Sequence, residues 1–379
     1  MQHLPIELLC LICDELVDAP TALSRLGRSA RAFVGPAQKL LFRSVDLEGA
    51  TLRVVRGWCT TVTRKRKNAT PLALLVRSLI LELPEIGQFA PDDMGKVAAA
   101  LRSCTNLKTL RVSRSTDAFN YRELTLTAPY AWILEDCTFQ LTAFQNNYFF
   151  PSSLRPFVEA QTHLRIFHGF QASLALPDNL VGFGSPWSPP DLPCGLQRIE
   201  IADREPEDIA NLRSHSQSLT TLNLLGHPSH CFGTSPYESL VAVAENLPNL
   251  VHLAIVAWRD APQWGLWRDS APEKAMHRFP RLETFSYVLR HVACFSMEDE
   301  NQTPSRREYL PEDEHDMRAM TRATIEACPT LYRAVVGIED GNQVQSVYTA
   351  TRDSLGEVRV RSAREAVNFN ALSMFWAPL

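Results

Sequence analysis

The chain has 379 residues, of which 45% are hydrophobic and 21% are charged, with a formal net charge of −4. This balance predicts a folded protein and gives no electrostatic basis for nucleic acid or an anionic membrane as its main partner. No segment reaches the roughly 18 consecutive apolar residues of a membrane span, the first residues lack a basic signal-peptide start, and nine scattered cysteines are typical of reduced thiols, so a cytoplasmic or nuclear location is expected.

The first predicted elements are three short helices that end before a short strand at 44–47. Pro5 suits the first position of a helix, and four apolar residues then recur at helical spacing, namely Leu8, Leu9, Ile12 and Leu16. A second helix is predicted over 21–28, and a third begins at Pro36. Helices this short cannot bury all of this apolar surface among themselves, so a partner is expected to cover part of it.

The apolar spacing continues through all three helices. The pattern is Leu4-Pro5-x-Glu7-Leu8-Leu9-x-x-Ile12-x-x-x-Leu16, followed by Leu23, Leu26, Ser29, Phe33 and Leu41-Phe42. Residues 3–47 thereby resemble an F-box, and 1–47 is predicted to be this domain. Two departures stand out: Phe33 replaces the usual Trp, and Ala19-Pro20-Thr21 replaces the usual acidic residue.

The resemblance implies docking on a Skp-type adaptor, which is carried in turn by a cullin. The implied adaptor-facing residues are Leu4, Pro5, Leu8, Leu9, Ile12, Leu16, Leu23 and Leu26. The alternative is an ordinary amphipathic hairpin that belongs to a larger core. Cys10 and Cys13 form a C-x-x-C spacing, but they lie inside a predicted helix, which favours packing thiols over a redox motif.

Residues 48–70 are predicted to be a linker. They contain the basic run Arg64-Lys65-Arg66-Lys67, which is interpreted as a solvated loop or, alternatively, as a nuclear import signal.

From residue 71 to 338 one phrase returns, with apolar residues at its first, fourth and sixth positions. Its copies are Val76-Leu79-Leu81, Leu107-Leu110-Val112, Leu141-Phe144 (with Asn146 in the third place), Leu164-Phe167, Leu196-Ile199-Ile201, Leu219-Leu222-Leu224, Leu250-Leu253-Ile255, Leu282-Phe285-Tyr287 and Leu331-Ala334-Val336. Such repetition is the leucine-rich-repeat signature, and helix patterns fill the connecting segments. About nine irregular repeats are therefore predicted.

The predicted fold class is α/β. A small all-α domain of three short helices precedes an irregular leucine-rich-repeat horseshoe with a parallel sheet on its concave face, and 339–379 is predicted to add capping strands. The alternative is another layered α/β domain.

Residues that alternate with the repeat core are predicted to project from the concave sheet. They are Arg111, Gln145, His168, Arg198, Glu200, Thr221, Asn223, His252, Ala254, Thr284 and Ser286. This mixture of polarities suits a protein target better than a phosphate or a metal.

Two further segments are candidates for target binding. Trp258, Arg259, Trp264 and Trp267 are of the types that dominate binding hot spots, although they equally suit lids over the repeat core. The acidic insertion 298–316 is interpreted as a solvated stretch, with a regulatory or target-binding role as the alternative.

The sequence contains no nucleophile-elbow, zinc-protease, phosphate-loop or dinucleotide motif, so no catalytic residue, metal or cofactor is expected. Gly182-Phe183-Gly184-Ser185 comes closest to a nucleophile elbow but lacks the final glycine. The expected function is a substrate receptor of an SCF-type ubiquitin ligase that binds an unknown protein target. Two alternatives stay open: an interaction scaffold that does not drive ubiquitination, and an enzyme with an unrecognised site.

Overall fold

The computed structural model describes residues 4–17, 19–64, 70–83, 90–114, 130–169, 174, 176–185, 192, 194–203, 206–226, 236–259, 273–291, 311–340, 343–363 and 372–377. The chain divides into two compact units, 1–179 and 180–379. Among these described residues, no helix has the length and apolar character needed to cross a membrane.

The first unit begins with three helices, α1 (Ile6–Asp14), α2 (Pro20–Ser29) and α3 (Arg31–Leu41). Both α1 and α2 contact α3. Their shared core is small: Cys13, Leu23 and Ala37 are buried, and around them lie the partly buried Leu16, Leu26, Phe33, Leu40 and Leu41. Pro36 lies inside α3 and does not begin it, because the helix starts five residues earlier.

The rest of the first unit alternates strands and helices. Its elements are β1 (Ser44–Leu47), α4 (Leu52–Thr63), β2 (Ser78–Leu83), α5 (Pro91–Ser103), β3 (Thr109–Arg114), β4 (Ala143–Asn146), α6 (Pro151–Glu159) and β5 (Ile166–Gly169). The five strands pair in parallel in chain order. A proline opens α5 and α6, where its missing N–H costs no hydrogen bond.

The stretch expected to be a linker contains helix α4. Four of its residues recur at helical spacing and are buried, namely Val55, Trp58, Cys59 and Val62. The helix contacts α5, and an ion pair between Arg56 and Asp93 joins the two. Lys65, Arg66 and Lys67 lie outside the described residues.

The second unit continues the alternation and then reverses direction. Its elements are β6 (Gly182–Ser185), β7 (Arg198–Asp203), α7 (Pro206–Asn211), β8 (Thr221–Gly226), α8 (Pro236–Asn246), β9 (His252–Arg259), α9 (Glu273–Met276), β10 (Thr284–His291), α10 (Pro311–Ala327), β11 (Arg333–Asp340), β12 (Gln343–Arg352) and β13 (Val358–Ala363). Strands β6 to β11 are parallel, whereas β12 and β13 pair antiparallel at the end of the sheet.

The repeated apolar positions form the core in register across neighbouring strands. In the first unit Leu79, Leu110, Phe144 and Phe167 form one row, and in the second unit Ile199, Leu222, Leu253 and Phe285 form another. Each of these eight residues is at most 2% exposed. The predicted α/β architecture with a mostly parallel sheet is confirmed, and its strand-plus-helix units are leucine-rich-repeat-like.

Strand β1 matches the short strand predicted at 44–47, although it was not counted as a repeat, and β6 was not predicted as a strand. Strand β6 contains Phe183, which is buried in register with Ile199, but glycines on both sides of Phe183 hide the apolar pattern. The segment that came closest to a nucleophile elbow is therefore a buried repeat strand.

Asn146 ends β4 and holds the turn that follows it. Its side-chain Nδ2 donates to the carbonyl oxygen of Phe149 at 2.8 Å, and its Oδ1 accepts from the backbone N–H groups of Phe149 and Tyr148 at 2.8 and 3.2 Å. Beside it, Gly169 has φ +152°, and a Cβ on Gly169 would lie 2.7 Å from the carbonyl oxygen of Asn146. The asparagine that breaks the third repeat thus has a structural role of its own.

Candidate protein-binding surfaces

Helix α1 exposes an apolar stripe. Leu4 lies two residues before the helix, and Leu8, Leu11 and Ile12 lie on one side of it by their spacing; the four are 53%, 44%, 59% and 41% exposed. We call these four residues the α1 stripe. Large exposed apolar side chains that cluster in this way mark protein-interaction sites more often than isolated ones do.

The remaining predicted adaptor-facing residues lie elsewhere in the three-helix module. Pro5 is exposed beside the α1 stripe, whereas Leu9 and Leu23 are 6% and 1% exposed. Leu16 and Leu26 are partly buried against the same small core. The predicted set therefore consists of exposed residues and internal residues. Leu11 is a further exposed residue that the prediction missed. Helical spacing alone could have identified Leu11, because it lies three residues after Leu8.

In the first unit, the predicted sheet-face residues Arg111, Gln145 and His168 are neighbours in one register row. Arg111 Nε donates to Gln145 Oε1 at 2.6 Å. His168 is only 5% exposed. Burial raises the pKa of Glu48, and the positive charge of Arg111 opposes that increase. This face therefore combines charged and polar side chains.

In the second unit, the predicted residues form two adjacent rows. Arg198, Thr221, His252 and Thr284 make up the first, and Glu200, Asn223, Ala254 and Ser286 the second. His252 Nδ1 lies 2.8 Å from Thr284 Oγ1. Burial lowers the pKa of both His252 and Arg198. Another part of the chain lies against several of these side chains.

That part of the chain is residues Leu372–Ala377, which we call the C-terminal segment. Arg198 Nη1 donates to the carbonyl oxygens of Phe375, at 3.0 Å, and Ala377. Asn223 Nδ2 donates to Ser373 Oγ at 2.6 Å and also to Glu200 Oε2. Ser286 Oγ donates to the carbonyl oxygen of Leu372 at 3.1 Å. Four residues of the predicted sheet face, Arg198, Glu200, Asn223 and Ser286, are thus engaged within the chain.

Beside its predicted polar residues, the same face contains an apolar cluster. Leu372 belongs to a buried cluster formed with Ala254, Val256, Val288, Val335 and Val347. The sequence contained an indication of this arrangement outside the repeats, since the apolar residues Leu372, Phe375 and Trp376 lie close together after the last strand.

The tryptophan-rich segment is described only in part. Strand β9 extends through the backbone of Trp258 and Arg259, while Trp264 and Trp267 lie outside the described residues. Of the acidic insertion, 298–310 is likewise outside them, and α10 begins at Pro311.

The described residues contain no group of three or more His, Cys, Asp or Glu side chains that could hold a metal ion. Several cysteines are buried, and burial raises the pKa of Cys59 to about 11 and that of Cys104 to about 12. Burial also raises the pKa of Cys13 in the C-x-x-C spacing. These thiols stay protonated at neutral pH, which suits packing and not nucleophilic chemistry.

No protein-family model matches the chain, and no curated protein matches it either. Among solved structures, the leucine-rich-repeat-containing protein LegL7 from Legionella pneumophila is similar at 14% sequence identity and a TM-score of 0.40. That similarity covers 70% of this chain and 84% of LegL7.

Proposed function

We propose that the chain is a substrate receptor of an SCF-type ubiquitin ligase, which docks on a Skp-type adaptor through its N-terminal helices and holds a protein target on its repeat units. The observation that supports this proposal is the α1 stripe, in which four large apolar residues are each more than 40% exposed. Covering such side chains is favourable by about 25 cal/mol per Å² of apolar surface, so a partner has a driving force to bind there.

The proposed receptor supplies no chemistry of its own. It raises the effective concentration of target lysines near a conjugating enzyme that the adaptor and cullin bring to the complex. We therefore place it among non-catalytic subunits, without cofactor or metal.

Co-purification with a Skp-type adaptor tests the proposal. Leu8→Asp places a charge in the centre of the α1 stripe, and burying an unpaired charge costs several kcal/mol, so we expect adaptor binding to fall at least about 100-fold. The variant should stay folded because Leu8 is 44% exposed. Val54→Asp is the matched control, since Val54 is 51% exposed on α4.

The intact chain and the Val54→Asp variant should bind equally well. Failure of the folded intact chain to bind any Skp-type adaptor would sink the proposal. Equal binding by the Leu8→Asp variant would show that adaptor contact does not use the α1 stripe.

A second candidate is an interaction scaffold that binds the adaptor or a target without driving ubiquitination. The observation that favours it is the C-terminal segment, because it contacts Arg198, Asn223 and Ser286 on the sheet face where a target was expected. Reconstituted ubiquitination of captured proteins separates the two functions. Adaptor-dependent ubiquitin transfer supports the receptor, and adaptor binding without transfer supports the scaffold.

A further inference from the structure

The C-terminal segment is held mainly through its backbone. Arg198 on β7 and Ser286 on β10 together donate to the carbonyl oxygens of Leu372, Phe375 and Ala377. The segment folds as a turn, in which the N–H of Ala377 donates to the carbonyl oxygen of Met374 at 3.3 Å. Carbonyl oxygens are common to every peptide, so these donors recognise a backbone conformation and can serve another peptide of the same shape.

Side chains of the segment add selectivity at three positions. Leu372 enters the apolar cluster with Val256 and Val288, and Phe375 is fully buried. Ser373 Oγ accepts from Asn223 Nδ2 at 2.6 Å and from the N–H of Phe375 at 3.0 Å. Met374, between these positions, is only partly buried. The surface therefore selects an apolar residue, a hydroxyl-bearing residue, any residue and then an aromatic residue.

Some of the side chains beneath the segment are polar, although apolar side chains would suit a permanently covered surface better. Glu200 and Asn223 are 4% and 0% exposed. Burying such groups is unfavourable unless every donor and acceptor is paired, and apolar replacements are often more stable. Asn223 Oδ1 has no hydrogen-bond partner among the residues that the structure describes. The segment thus leaves an acceptor unused that a different peptide could engage with an N–H or O–H donor.

We propose that the sheet face around Arg198, Asn223 and Ser286 is a peptide-binding site, that the C-terminal segment is its built-in occupant, and that a partner protein presenting a turn of apolar–Ser/Thr–x–aromatic sequence displaces it. The claim that ubiquitin-ligase targets present such a turn rests on the proposed receptor function. Peptide binding itself does not, because it requires no adaptor.

The covalent connection makes the built-in occupant a strong competitor. A tethered peptide acts at an effective concentration on the order of millimolar, so a free peptide binds the intact chain only after overcoming that competition. Removing the segment therefore exposes the site without altering the side chains that line it.

The test uses a labelled peptide with the sequence of residues 372–379 and a chain that lacks those residues. We expect this peptide to bind the shortened chain at least about 100-fold more tightly than it binds the intact chain. Asn223→Ala in the shortened chain should weaken binding roughly tenfold or more, because the Ser373 hydroxyl loses its donor. The matched control Asn211→Ala removes an exposed amide on α7 and should leave the affinity unchanged.

Folding is checked by circular dichroism, and full-length Leu372→Asp provides a second route to an open site. That change places a charge in the apolar cluster and expels the segment while keeping every other residue. A folded variant of either kind that does not bind the peptide overturns the inference. Loss of folding in both variants also overturns it, because the segment would then be an inseparable part of the core.

Adaptor binding is measured on the same samples. Adaptor binding without peptide binding rejects the peptide site alone, whereas peptide binding without adaptor binding rejects the receptor function alone.

Discussion

A single carboxylate joins two helices of the first unit. Asp93 on α5 accepts from Nε and Nη2 of Arg56 on α4 at 2.7 and 2.6 Å, and from Lys96 Nζ at 3.4 Å. Arg56, assisted by Lys96, lowers the pKa of Asp93 from 3.8 to about 2. The folded state therefore binds fewer protons than the unfolded state near pH 3, so the stabilisation is complete above roughly pH 4 and is lost as the pH falls towards 2.

Asp93→Asn should therefore lower the midpoint of thermal unfolding at pH 7, because a neutral amide cannot replace the charge-assisted bidentate contact. The difference from the unaltered chain should shrink between about pH 4 and pH 2. Asp92→Asn is the control, since Asp92 is exposed in the same helical turn. A difference that is constant with pH would contradict this assignment of the ionised pair.

The sequence pattern did not single out Asp93. Its partner Arg56 precedes it by 37 positions and lies in a segment expected to be a linker. Pairing between distant residues depends on how the helices pack, and local periodicity does not specify that.

At the scale of elements, Asn146 gives the sharpest contrast between motif and structure. Replacing it with Leu restores the apolar third place of the repeat, yet it removes three hydrogen bonds to the backbone of the following turn. We expect Asn146→Leu to lower the free energy of unfolding by about 2–4 kcal/mol.

Urea denaturation measures this effect, with Asn147→Leu as the matched control because Asn147 is the adjacent asparagine and is partly exposed. If Asn146→Leu proved as stable as the unaltered chain, the turn after β4 would not depend on the side-chain amide.

Strands and helices were predictable where one residue type repeats at a fixed spacing. Leu107, Leu110 and Val112 predict β3 by their spacing. Prediction failed at β6, where Gly182 and Gly184 surround Phe183 and remove the alternation of side chains. It also missed α4, whose buried Val55, Trp58, Cys59 and Val62 were hidden by the polar residues after them.

At the scale of the whole molecule, the N-terminal helices have a core of their own. Cys13, Leu23 and Ala37 form a buried cluster that is separate from the buried rows of strand residues. Removing residues 1–42 should therefore abolish adaptor binding while changing the thermal midpoint of the remainder by less than about 5 °C.

A deletion of equal length from the other end, 338–379, serves as the comparison. It removes Val347 and Leu372 from the cluster with Val288 and Val335, so cooperative unfolding should be lost. If the N-terminal deletion produced the same loss, the three helices would be part of the repeat core.

The mostly parallel order of strands followed from the repeat pattern, but the covered sheet face did not. Alternation along each strand identifies the residues of one face correctly, but it cannot reveal what lies on that face. The C-terminal segment contacts Arg198 from 177 positions away, and nothing in the local sequence of β7 indicates that contact.

The C-terminal segment also has a consequence for how this chain can change in length. Arrays of strand-plus-helix units can gain or lose a unit by duplication or deletion, because each unit pairs only with its neighbours. Here Arg198, Asn223 and Ser286 contact one six-residue segment from three different strands, and one additional strand would separate β7 from β10 by a further 4.8 Å or so. The segment thus fixes the number of units between β7 and β10. Insertion or deletion of a unit in descendants of this chain is expected only outside that span.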